Sequence, residues 1–304
     1  MKPIQTASTS VVETALSCDL RAHHSIQATL DTIVNLRRRP GPGPGERLPH
    51  NFLKHADEQT VVGLAAVLEA IHHSGLSETD FTNWGIVAAP SFLGRATLVG
   101  ALQRFEAEGA WGISPHFIPH RSQHAVSGTI SQVLKVHGPN FGTGGAPGSG
   151  AEALLAGAVL LEGNRLPGVW VVMSDWEPEL IPDETGRPAP ADAICHATVL
   201  ALVPPRPGWQ GPRLRITLPG RGESPEFDAS KSLKSIAGLG ALLQIFSHEI
   251  IPLTVTWQFE GGGCVELRRG ASIVNPPKWI TLERRNARNR AEVTQGGAGT
   301  ENQR

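Results

Sequence analysis

Two periods run through this chain, one of amphipathic helices and one of strands apolar on both faces. Ala56-Asp57-Glu58-Gln59 opens a segment whose apolar positions Val62, Ala65, Ala66, Leu68 and Ile71 fall at helical spacing and stop near Gly75. Trp84-Gly85-Ile86-Val87-Ala88-Ala89 is a short apolar run between Asn83 and Pro90, the pattern of a strand buried on both sides. Helices are predicted at about Arg95–Glu106 and Ser122–Val136. A short strand then leads from Gly138 into a Gly-rich turn, and an apolar helix follows from about Glu152 to Leu161. Gly168-Val169-Trp170-Val171-Val172-Met173 and Ala193–Val203 read as two further buried strands. Strands alternating with helices in this way predict an α/β layered fold.

The pattern thins in the second half. A strand at about Arg213–Thr217 precedes a loop from Pro219 to Phe227, a helix at about Ser232–Ser247, and strands near Leu253–Phe259 and Cys264–Arg268. Gly41-Pro42-Gly43-Pro44-Gly45 marks an exposed loop. Residues 1–283 read as a single domain. The polar, Gly-rich tail at 284–304 lacks periodicity and is expected to be disordered.

Composition narrows the function classes. With 304 residues, 40% hydrophobic and 18% charged, the chain can bury a sizeable core. A net charge of -1 gives no reason to expect nucleic acid or an anionic membrane as partner. Three scattered cysteines (Cys18, Cys195 and Cys264), with no CxxC pair, point to reduced thiols and a cytoplasmic location. No apolar run predicts a membrane span. Nothing in the sequence calls for a cofactor or a metal.

The most telling stretch is Gly138-Pro139-Asn140-Phe141-Gly142-Thr143-Gly144-Gly145-Ala146-Pro147-Gly148-Ser149-Gly150. A strand, tight turn and helix in that order can project a nucleophile from the turn. Backbone N–H groups of Gly145, Ala146 and Gly148 would then be available to an oxyanion. The stretch resembles the nucleophile elbow of the β-ketoacyl synthases, of the thiolase superfamily. Other blocks resemble that family in the same order: Leu53–Thr60 running on to Ser74-Gly75-Leu76, then Trp84–Val87 with Ser91-Phe92-Leu93-Gly94. Pro115-His116-Phe117-Ile118-Pro119 leads on to Gly138, and Trp257-Gln258-Phe259-Glu260-Gly261-Gly262-Gly263 is a faint echo of the family's Gly-rich loop. The best-matched span is 50–203.

The resemblance implies a thiolase-like α/β layered fold of mixed, five-stranded sheets with helices, its C-terminal half shortened. It also implies that Asn140, Phe141, Gly142 and Thr143 form a strand at a two-fold or pseudo-two-fold dimer interface. The catalytic features are missing. Pro147 falls where the family has its cysteine, and proline offers neither nucleophile nor N–H. No cysteine lies between Cys18 and Cys195. Around Lys231 or Lys234 the family's lysine is matched, but no histidine follows before His248. The expectation is a catalytically degenerate subunit resembling the chain-length factors. It would pair with an active ketosynthase in a fatty-acid or polyketide-type pathway and shape its acyl tunnel, with acyl carrier protein a candidate further partner. Two alternatives stand beside it. One is an acyl-thioester enzyme, a malonyl decarboxylase or acyltransferase, working without a cysteine. The other is an acyl-binding homodimeric scaffold.

Isolated polar residues have plainer readings. Ser149 is a replacement nucleophile or, more simply, an N-cap for the helix behind it. His120 and His124 sit four apart, as two metal ligands on a helix would, but no third ligand accompanies them. His72-His73 suit a helix C-terminus. Cys195 and Cys264 read as small core residues, and Trp170 and Trp176 as core packing or a tunnel wall.

Overall fold

The computed structural model describes residues 14–42, 48–145, 149–182, 188–190, 192–218, 236, 239, 240, 243, 254–258 and 263–269. In chain order these form β1 (Thr14–Thr29), α1 (Leu30–Leu36), α2 (Glu58–His73), β2 (Gly85–Pro90), α3 (Arg95–Glu108), α4 (Phe117–Arg121), α5 (His124–Leu134), β3 (Asn140–Gly142) and α6 (Ser149–Asn164). Then come β4 (Val169–Glu177), β5 (Ile181–Pro182), β6 (Pro188–Ala189), β7 (Ile194–Val203), β8 (Pro212–Leu218), β9 (Thr254–Gln258) and β10 (Cys264–Arg269). The helix and strand expectations from Ala56 to Arg268 therefore hold wherever the residues are described. The tail at 284–304 and most of Ser232–Ser247 lie outside them.

Eight strands make one sheet, in the order β3-β2-β4-β7-β1-β8-β10-β9, and β5 pairs with β6 as a separate ribbon. The sheet is mixed, as expected: β2 runs parallel to β3 and β4, and every other pairing in it is antiparallel. It is one eight-stranded sheet, however, and not a set of five-stranded ones. Among the described residues, β8, β10 and β9 add on beyond β1 and build no second large sheet.

Both faces of the sheet are covered along β2, β4 and β7. Ile86 and Ala88 of β2, Trp170 and Val172 of β4, and Cys195 to Val203 of β7 at alternate positions meet α1, α2 and α5. The intervening Val87, Val171, Met173, Leu200 and Leu202 meet α6, Ile236, Leu239 and Leu243. Two covered faces explain why these strands read as unbroken apolar runs.

The sixteen residues of β1 gave no such signal. Their pairing with β7 shifts register between Leu20 and Ala22, a bulge at Arg21. Cys18 and Leu20 consequently face the α6 side, whereas Ala22 and Ala28 face the α2 side. One extra residue reverses the alternation and hides a strand from any test of period two. Asp19, fully buried in β1, is satisfied by Arg213 Nε and the Arg206 N–H, each at 2.7 Å.

Candidate functional site

The carboxyl ends of the parallel strands β3, β2 and β4 meet three features at one rim of the sheet, where open α/β sheets bind ligands. The first is the elbow between β3 and α6. Its strand, Asn140–Gly142, pairs only with β2 among the described residues and so forms a sheet edge. Thr143 N–H donates to the Ala88 carbonyl at 2.7 Å, and Phe92 N–H donates to the Gly145 carbonyl at 3.0 Å. The turn then bends through Gly144 at φ +70° and Gly145 at φ +121°. A Cβ at Gly142 would stand 2.2 Å from the Gln123 carbonyl oxygen, and one at Gly144 would stand 2.1 Å from Ser149 Cβ. Glycine is thus required by crowding as well as by backbone angle.

Ala146, Pro147 and Gly148 lie outside the described residues, as do Phe259, Gly261 and Gly262 of the second Gly-rich segment; Gly263 is buried just before β10. Ser149 is described, and its expected N-cap role is not what the structure shows. It is the first residue of α6 itself, and its buried Oγ has no hydrogen-bond partner among the described residues. Ser149 is 3% exposed and packed beneath Gly144.

The second feature is the start of α2. Asp57 caps it, accepting from Gln59 N–H at 3.0 Å, and also takes Arg121 Nη1 at 2.6 Å. Glu58 binds Arg37 and lies 3.5 Å from Arg121. Burial pushes the Asp57 carboxyl up to about 6, with Glu58 adding to the effect and Arg121 opposing it. Gln59 Nε2 donates to the Ser91 carbonyl, and Gln59 Oε1 accepts from Ser174 Oγ, both at 2.9 Å. That one side chain ties α2 to the ends of β2 and β4. The sequence reading missed this network because Asp57 and Arg121 are 64 residues apart. A capping signal ahead of an apolar helix was the only local trace.

The third feature is a small cleft beside it, lined by Asp57, Gln59, Phe92, Arg95, Trp176 and Leu180. Arg95 lies over the Phe92 ring and is paired with Glu179, so the charges at its mouth are already matched. Trp176 borders this cleft, while Trp170 is core, packed on Phe81 and Trp84.

The histidines fall otherwise than their spacing suggested. His120 and His124 are on separate helices, and His124 turns back to Ser127. His120 instead meets His55 and His116, the latter two stacked at 4.7 Å between ring centres. Among the described residues no group of His, Cys, Asp or Glu is arranged to hold a metal ion. His72 and His73 do sit in the last turn of α2.

The cysteines lie far from the elbow in the chain and on other elements: Cys18 in β1, Cys195 in β7, and half-buried Cys264 in β10. Burial pushes the Cys18 thiol up to about 12 and the Cys195 thiol well above its ordinary value. Neither is a thiolate at neutral pH. Of the Lys231–Leu243 segment, Ile236, Leu239, Gly240 and Leu243 are described. Ile236 N–H donates to Asp175 at 3.3 Å, its carbonyl accepts from Thr198, and both leucines are buried. What is visible of this segment is packing.

A covered mixed sheet with a β3–α6 elbow at its rim is the fold of the ketosynthases. Residues 46–165 match the family model for the Beta-ketoacyl synthase, N-terminal domain. Among solved structures, the chain is similar to the ishigamide ketosynthase/chain length factor, at 12% identity and a TM-score of 0.53, over 84% of this chain and 100% of that one. It is similar to a ketosynthase (ApeO) in complex with its chain length factor (ApeC) from Xenorhabdus doucetiae, at 14% identity and a TM-score of 0.52, with the same coverage. A type II polyketide acyl-carrier protein in complex with its ketosynthase, AntDE:AntF, matches at 13% identity and a TM-score of 0.43, over 63% of each chain. No curated protein matches the sequence. The chain thus has a ketosynthase-like fold, and the match to the family model lies in residues 46–165. Among the described residues, no helix is long and apolar enough to cross a membrane.

Proposed function

We propose that this chain is a non-condensing subunit of ketosynthase fold that pairs with an active ketosynthase in a polyketide or fatty-acid type pathway and shapes its acyl tunnel. The observation that carries the reading is the mismatch between frame and chemistry. The elbow's strand and helix are intact, yet its sequence supplies Pro147 where a thiol is needed. The two buried cysteines sit in β1 and β7, held as neutral thiols. A condensing enzyme needs a thiolate that can reach its acyl donor. The likeness to structures named for a ketosynthase with its chain length factor supports the same reading. So does the edge position of β3, where, among the described residues, Asn140, Phe141 and Gly142, with Thr143 following, have β2 on one side alone and leave the other to a partner.

The test is to co-express the chain with a ketosynthase encoded beside it and to determine the mass of the purified complex. A 1:1 complex is expected, together with no turnover of malonyl thioesters by this chain alone. A lone homodimer would overturn the pairing in favour of a scaffold. Thioester turnover that disappears in Ser149→Ala would overturn it in favour of an acyl-thioester enzyme; the burial of that hydroxyl argues against this outcome.

A further inference from the structure

The apolar side chains of this fold are mostly inside, and α3 is the exception. Leu98, Leu102 and Phe105 are 42%, 58% and 54% exposed, and spacings of four and three put them on one stripe of the helix. Beyond the helix, Trp111 is 98% exposed and Ile118, on α4, is 71% exposed. Together with Val99 these side chains present roughly 700 Å², close to the ~800 Å² that each partner contributes to a standard interface. A patch of that size on a free subunit marks a surface that another molecule covers.

The surroundings say what kind of molecule. Arg95 and Arg104 carry one sign along the exposed helix and Glu106 and Glu108 the other, and Arg95 is already paired with Glu179. No single-sign field is present to favour a polyanion or an anionic membrane. The patch is a set of knobs, and a symmetric pairing of two copies would need holes on this same surface. The cleft nearby, between Phe92 and Trp176, is small and bordered by the Arg95–Glu179 pair. The arm is also held in place. Arg121 fastens the end of α4 to Asp57 and Glu58, Arg95 fastens the start of α3 to Glu179, and Arg104 Nε donates to the Gly112 carbonyl at 3.3 Å.

We infer that the Leu98–Leu102–Phe105 stripe, with Trp111 and Ile118 as its anchors, seats in an apolar groove on the ketosynthase partner. This rests on the pairing proposed above and adds a second contact surface to the β3 edge. Burial of an aromatic anchor at such a site carries a large share of an interface's affinity.

The experiment compares the wild-type chain with Trp111→Ser and with the double variant Leu102→Glu/Phe105→Glu. Each is co-expressed with the neighbouring ketosynthase, and the affinity of the purified pair is measured. Val159→Ser, at an exposed position on α6, is the control. Because all of these side chains are exposed in the free subunit, each variant should keep the wild-type melting temperature, and that is checked first. At least about 30-fold weaker pairing for both stripe variants, with the control unchanged, is the expected result. Stripe variants that pair as tightly as wild type would overturn this surface and leave the pairing itself standing. A wild-type chain that binds no ketosynthase would overturn both. So would a homodimer, or binding to neutral phospholipid vesicles, that these variants abolish.

Discussion

Two helices of similar length divide the molecule into what folds it and what it presents. The sixteen-residue α2 buries twelve side chains, from Gln59 to Ile71, while of the fourteen residues of α3 only Ala101 is buried among the described side chains. Both carry apolar residues at helical spacing, but α3 sets Arg95, Arg104, Glu106 and Glu108 among them, whereas α2 is apolar through its middle. Position in the topology separates them further. The chain reaches α2 between β1 and β2 and lays it across the sheet, under α1 and α5. It leaves β2 for α3 at the rim, where among the described residues the helix lies mainly against the β5 ribbon and its own following turn. Amphipathic spacing, then, says that a helix has an apolar face, and the fold decides whether that face is buried in the core or left exposed.

The largest expected effect tests the core side of this contrast. Leu64→Ala removes a fully buried side chain from the middle of α2. It should cost about 3–5 kcal/mol of unfolding free energy, read from urea denaturation. A loss under about 1 kcal/mol would mean that α2 is not the keystone its burial implies.

Next in size is the joint between the two regions. Arg121→Leu leaves Asp57, whose side chain is only 5% exposed, without its counter-ion. The expected cost at pH 8 is about 2–3 kcal/mol. The sign of its pH dependence follows from the raised carboxyl. With a folded value near 6, above the ordinary 3.8, the fold resists the charged form, and the stability Asp57 contributes is present at low pH and lost as pH rises through 6. The gap between variant and wild type should therefore narrow on acidification from pH 8 to 5. A gap independent of pH would remove Asp57 from the account.

A separate effect, confined to acid pH, acts at the other end of α2. His24 stacks on His73 of the last turn, and both His23 and His24 are pushed down to about 4, in each case chiefly by burial. Their folded values lie below the ordinary 6.5, so their stabilising contribution is present above pH 6.5 and lost as pH falls towards 4. Each imidazole can remove about 1.4 kcal/mol per pH unit in that window, with Asp57 working in the opposite sense below pH 6. Asn at both positions should flatten the profile.

Much of the fold was legible in the sequence because two-sided burial writes itself as apolar runs, and β2, β4 and β7 are such runs. The site was legible only as a frame. The elbow's glycines announced a tight turn, but β1 was hidden by its bulge at Arg21, and the Asp57–Arg121 joint by 64 residues of separation. His120 has its neighbours in His55 and His116, from a segment 65 residues back and a helix start, and neither shows in the four-residue spacing to His124. Local pattern records what each segment needs, while pairing across the sheet and between distant loops leaves no periodic trace.

The smallest expected effect closes the contrast from the other side. Leu102→Ala removes as many atoms as Leu64→Ala, from a helix of much the same length. More than half of Leu102 is already in water, so little transfer free energy is lost and no cavity forms. The substitution also favours helix slightly. The stability of the free chain should change by less than about 0.5 kcal/mol, against the several lost at Leu64. If denaturation instead shows a loss above about 2 kcal/mol, Leu102 is buried in the free chain, and α3 belongs with α2 as core and not as a surface held ready for a partner.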